Sequence, residues 1–174
     1  TEPYVENGGW SEASQTILNN YLNAQAETTA MLYNYAMQML ATDEPVVLVF
    51  FGDHKPWMGN ADSVYHELGI NIDRSTDEGF LNYYSTRYLI LANDAAKRAT
   101  GNDFRGAGET ISASFLMNKV FELCGWRGSA YMQFTTAQMR KTPVVHRSFD
   151  LRSETYRLYD DVTYYYRKNF VYEQ

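Results

Sequence analysis

Hydrophobic and polar positions divide this chain into alternating helix and strand signals. Ile17, Tyr21, Ala24, Thr28, Met31, Tyr35 and Met39 recur at steps of three or four, which predicts one face of a long helix. Ser11 suits its N-cap, and Glu12 is favourable in the first turn. A methionine and tyrosine stripe of this kind predicts core packing. Thr42 to Pro45 ends the helix, and Val46-Val47-Leu48-Val49-Phe50-Phe51 follows without polar interruption. Such a run predicts a strand buried on both faces, the usual state of a parallel strand covered by helices. Together the two elements make one helix-to-strand unit of an α/β layer.

Weaker signals follow. Residues 1–9 read as a loop broken at Gly8-Gly9, Asn60 to Leu68 as a short helix closed by Gly69, and Asn71 to Gly79 as a polar loop. Arg87 to Leu91 predicts a second strand, with Asn93-Asp94 at its carboxyl end. Asp94 to Gly108, carrying Gly101, Gly106 and Gly108, reads as an exposed loop; it matches neither phosphate-binding nor dinucleotide glycine patterns. Ile111 to Leu123 predicts a helix stopped by Gly125, and Ser129 to Arg140 another that ends before Pro143. From Ser153 to Phe170 the spacing predicts a terminal helix packed on the sheet, with Tyr156, Tyr159, Thr163 and Tyr166 on one face. The run Thr163 to Tyr166 also has high strand propensity. No internal repeat or low-complexity segment appears.

Candidate chemistry concentrates after the first strand, in Gly52-Asp53-His54-Lys55-Pro56-Trp57. In open α/β sheets ligands gather beyond the carboxyl ends of strands. Asp53 and His54 share one ion only if they lie in the turn after Gly52, because adjacent strand residues point to opposite faces. Gly-Asp after a strand is equally a common turn pair, with the carboxylate bonded to nearby backbone. Lys55 fits a phosphate contact or a solvated turn; Trp57 fits a substrate wall or a lid over the core. His66, beside Glu67, reads as a solvated surface histidine, and His146, beside Arg147, as structural.

At 174 residues the chain is long enough to bury a core, and 45% hydrophobic residues argue against disorder. A net charge of −6 argues against nucleic-acid binding. No apolar run approaches the roughly 20 residues of a membrane span, and no secretory signal appears. The single Cys124 permits no internal disulfide and reads as a buried structural thiol.

The stretch PVVLVFFGDHKPWMG, Pro45 to Gly59, resembles the strand and metal-binding turn of the lipoteichoic acid synthase and phosphoglycerol transferase group, sulfatase-like enzymes of the alkaline phosphatase superfamily. The likeness extends along most of the chain. It includes Asn20-Tyr21-Leu22, Tyr84-Ser85-Thr86-Arg87-Tyr88-Leu89-Ile90-Leu91-Ala92-Asn93, Ser112-Ala113-Ser114-Phe115-Leu116 with Gly125, Thr142-Pro143-Val144-Val145 and Tyr159-Asp160. Arg87 departs from it, standing where relatives commonly have proline.

The resemblance implies a three-layer sulfatase-like α/β fold, of which residues 1–174 are the carboxyl-terminal portion of one catalytic domain. It implies metal ligands at Asp53 and His54, with manganese the expected ion and magnesium or zinc as alternatives. It also implies transfer of glycerol phosphate from a phosphatidylglycerol-type lipid to an envelope glycan or lipid acceptor, at the outer face of a bacterial cell membrane. The threonine nucleophile, a glutamate ligand and a phosphate-contacting histidine are expected upstream of Thr1, as are any membrane segments. With two ligands the chain alone is expected to be inactive, and metal-free if those ligands do not suffice. The alternatives are a sulfatase or phosphatase on the same scaffold, and a non-catalytic module that binds an envelope glycan through aromatic residues.

Overall fold

A computed structural model describes residues 4–6, 8–145 and 154–169. It is mixed α/β and rich in helix. The helices are α1 (Glu12–Leu40), α2 (Ser63–Glu67), α3 (Asp77–Tyr84), α4 (Asp94–Thr100), α5 (Leu116–Cys124), α6 (Ala130–Lys141) and α7 (Glu154–Asn169). The strands are β1 (Val47–Phe51) and β2 (Tyr88–Ala92). The chain divides into two compact units, residues 1–95 and 96–174. No helix among the described residues is long and apolar enough to cross a membrane.

In the first unit, Ser11 caps α1 as predicted, its hydroxyl accepting from the Ser14 N–H at 3.2 Å. Leu18 packs with Met58 and Val64, and Ile17, Tyr21 and Leu22 lie against them. Farther along the predicted stripe, Ala24, Thr28, Met31 and Tyr35 are exposed. The residues packed in this cluster reach only the first half of α1, so periodicity marked a face that the unit covers in part.

The two strands pair antiparallel, with Val47 opposite Ala92, Val49 opposite Ile90 and Phe51 opposite Tyr88. This corrects the expectation of a parallel strand buried on both faces. The strands are half-buried, and Phe51 is 60% exposed. An apolar run reports that a strand carries no polar face; it does not report the direction of its neighbour. Among the described residues these two strands make the only sheet.

Two further expectations change. The loop read over residues 71–79 runs into α3, whose N-cap Thr76 accepts from the Gly79 N–H at 3.1 Å. The loop read over residues 94–108 begins with α4. Both starts carry acidic first turns, Asp77-Glu78 and Asp94, a helix signal that surrounding glycine and polar residues obscured.

In the second unit, α5 ends at Gly125 in the left-handed region (φ 69°), as predicted. Phe115, fully buried, meets Tyr159 of α7 edge to face at 5.4 Å. Tyr131 of α6 stacks on Tyr166 at 4.2 Å and its hydroxyl lies 3.2 Å from that of Thr163. The tyrosine face of α7 therefore packs on α6 and Phe115, where a sheet was expected. Asn118, 2% exposed, donates to the Met132 carbonyl and to the hydroxyls of Thr135 and Thr136, joining α5 to α6. His146 and Ser153 lie outside the described residues.

Candidate metal-binding turn and its cleft

The turn after β1 is held at both ends. Gly52 N–H donates to the Arg87 carbonyl at 3.1 Å, and the Thr86 hydroxyl donates to the Gly52 carbonyl at 2.6 Å. A Cβ at Gly52 would stand 3.0 Å from the Thr86 Cβ. Glycine is needed here for room between the strand ends rather than for a left-handed turn. At the other end Met58 is buried against Leu18 and Val64, and its carbonyl accepts from the Val64 N–H at 3.0 Å. Gly59 then turns with φ 89°, where a Cβ would collide with the Ser63 hydroxyl. Residues 53–57 thus bridge a strand end and a core residue.

Within that bridge the Asp53 and His54 side chains converge. Asp53 Oδ1 accepts from the His54 backbone N–H at 2.9 Å, which is the ordinary turn contact. Oδ2 takes no part in it and faces His54 Nε2 at 3.5 Å. His54 Nδ1 lies 2.8 Å from the Lys55 carbonyl oxygen. A carbonyl only accepts, so Nδ1 carries the proton in that bond, and a neutral ring presents its lone pair at Nε2. That lone pair and a carboxylate oxygen then stand 3.5 Å apart. A proton on Nε2, a cation or a water molecule can bridge atoms at that separation.

The spacing fits a cation. Two donors at 2.0–2.2 Å from one tetrahedral ion stand about 3.4 Å apart. Tying the second ring nitrogen to a carbonyl is also the usual way a ligating histidine is oriented. Imidazole nitrogen with carboxylate oxygen suits zinc and manganese. Both side chains are open to solvent, 77% and 82% exposed. Among the described residues no cluster of three or more histidine, cysteine, aspartate or glutamate side chains exists. Asp53 and His54 could by themselves offer no more than two ligands to an ion.

Lys55 lines the adjoining cleft and forms no ion pair with the described residues. Trp57 also lines it and is 67% exposed, so it is a cleft wall rather than a lid over the core. The cleft has a volume of about 410 Å³, and Asp62, Tyr65, Tyr83 and Tyr84 complete it. Sequence reading missed these four. Asp62 and Tyr65 follow the turn closely, whereas Tyr83 and Tyr84 come from the end of α3, some thirty residues on. Burial, then the nearby Tyr21, pushes the Tyr65 hydroxyl above its usual value of 10.0, keeping it neutral. Ala61 and Asp62 both hold left-handed backbone, φ 50° and 59°, at a cost of roughly 1–2 kcal/mol each. His66 is exposed, as expected, and lines a neighbouring hollow of about 340 Å³. No family model, no curated protein and no solved structure matches the chain.

Proposed function

We propose that the chain is the carboxyl-terminal portion of a metal-dependent phosphotransferase of the cell envelope, with the three-layer sulfatase-like fold. It transfers glycerol phosphate from a lipid donor to an envelope acceptor. One observation carries the reading: His54 Nε2 and Asp53 Oδ2 face each other at 3.5 Å while Nδ1 is held by the Lys55 carbonyl. The resemblance of Pro45 to Gly59 to the phosphoglycerol transferase turn gives that pair its assignment as manganese ligands.

A divalent cation bound there supplies charge neutralisation for the phosphate oxygens and activates an oxygen nucleophile. This chain's own residues then have definite tasks. Asp53 contributes a negatively charged oxygen and lowers the net charge of the bound ion. His54 contributes a neutral nitrogen whose direction the Lys55 carbonyl sets. Lys55, at the cleft edge, places a positive charge where a phosphate would approach. The remaining ligands and the nucleophile belong to the rest of the enzyme, so this portion alone is inactive.

Manganese titration followed by NMR line broadening tests the reading on this chain. Selective broadening of resonances from Asp53 to Trp57, abolished in Asp53→Ala, is the expected result. Uniform broadening would remove the metal from this turn, and the same selective pattern in Asp53→Ala would remove Asp53 from the ligand set.

A further inference from the structure

We infer that the cleft beside Asp53 and His54 is a saccharide subsite, in which Trp57, Tyr83 and Tyr84 form the stacking surface and Asp62 accepts ligand hydroxyls. Its role as the acceptor site rests on the transferase reading above; its capacity to bind a sugar does not.

The aromatic wall is built in advance. Phe80, 5% exposed, anchors α3 and meets Tyr84 at 4.7 Å. Tyr84 meets Tyr83 edge to face at 4.9 Å. The Arg74 guanidinium stands over the Tyr83 ring, 5.1 Å from its centroid, and hydrogen-bonds the Tyr84 side chain. Tyr83 is shared between the two hollows, and Arg74 lines only the smaller one. The guanidinium thus braces the tyrosines from behind and leaves the larger cleft to a ligand. Trp57 and Tyr84 remain 67% and 45% exposed.

Ring faces of this kind attract the weakly positive C–H faces of a sugar, and phenol hydroxyls pair with its oxygens. The carboxylates of Asp53 and Asp62 line the same cleft and accept from neighbouring hydroxyls. A volume of about 410 Å³ falls within the range of small-ligand sites. Asp62 reaches this position on left-handed backbone, which aspartate adopts more readily than most residues.

The 174-residue chain is titrated with maltotetraose and with the tetramer of N-acetylglucosamine, using tryptophan fluorescence and calorimetry, with adenosine monophosphate as control. Saturable binding of either sugar, weakened at least about tenfold by Trp57→Ala and by Tyr83→Leu, is expected. Trp57 is exposed, so its variant keeps the fold if Tyr83→Leu does not. Absence of saturation with both sugars, binding that survives in both variants, or tighter binding of the nucleotide overturns the proposal. Manganese is titrated in parallel. Sugar binding without manganese binding upholds the subsite and leaves the transferase reading without support; manganese binding without sugar binding supports the metal turn and overturns the subsite.

Discussion

Asn93 brackets Val46. Its backbone N–H donates to the Val46 carbonyl at 3.1 Å, and its Oδ1 accepts from the Val46 N–H at 3.0 Å. The Nδ2 group adds bonds to the Thr42 and Glu44 carbonyls at 2.9 and 2.7 Å. One residue, 4% exposed, therefore closes the ladder and receives the chain arriving from α1. It does so at the opposite end of β1 from Asp53.

Replacing Asn93 by alanine should remove three side-chain bonds, to half-buried Val46 and to exposed Thr42 and Glu44, lowering unfolding free energy by about 1–3 kcal/mol. Asn93→Asp retains only the acceptor for Val46 and should fall between wild type and alanine. Urea unfolding measures both. A loss under about 0.5 kcal/mol for Asn93→Ala would show that water replaces the clasp.

In the second unit, Glu122 lies between Lys119 at 3.2 Å and Arg140 at 2.8 Å. Burial pushes its carboxyl upward, but hydrogen bonds from Arg140 and Lys119 outweigh this and hold it below its usual 4.5. Since the folded value is the lower one, ionised Glu122 contributes stability above about pH 4.5, lost as the pH falls through the folded value. Glu122→Gln should cost about 1 kcal/mol at neutral pH, and the difference from wild type should shrink in acid. Equal thermal shifts at pH 7 and pH 3 would contradict this.

Cys124 is 5% exposed, and burial raises its thiol above the usual 9.0. Reactivity requires the thiolate, which this environment opposes on both grounds. Iodoacetamide should modify it on the order of a hundredfold more slowly in native protein than in urea. Native labelling at the unfolded rate would show that α5 opens freely.

Local patterns carried much of the fold into view. Ser11 and Ser129 cap their helices, Gly69 and Gly125 close theirs, and the two strands lie within a residue of expectation, because caps, left-handed stops and apolar runs act through near neighbours. The turn at Asp53 and His54 was legible for the same reason. Asp62, Tyr83 and Tyr84 were not: they reach the cleft only once Gly52 is bonded to Arg87 and Met58 to Val64.

The amino-acid order alone determined most of the helical and extended segments, α3 and α4 excepted, and that a carboxylate precedes an imidazole after the first strand. Tertiary structure decided that the strands run antiparallel, that the predicted face of α1 is covered only in part, and that the Asp53 and His54 side chains stand 3.5 Å apart. The division has a physical cause. Backbone preference is settled within a few residues, whereas strand direction, coverage of a helix face and side-chain convergence depend on groups that only the folded chain brings together.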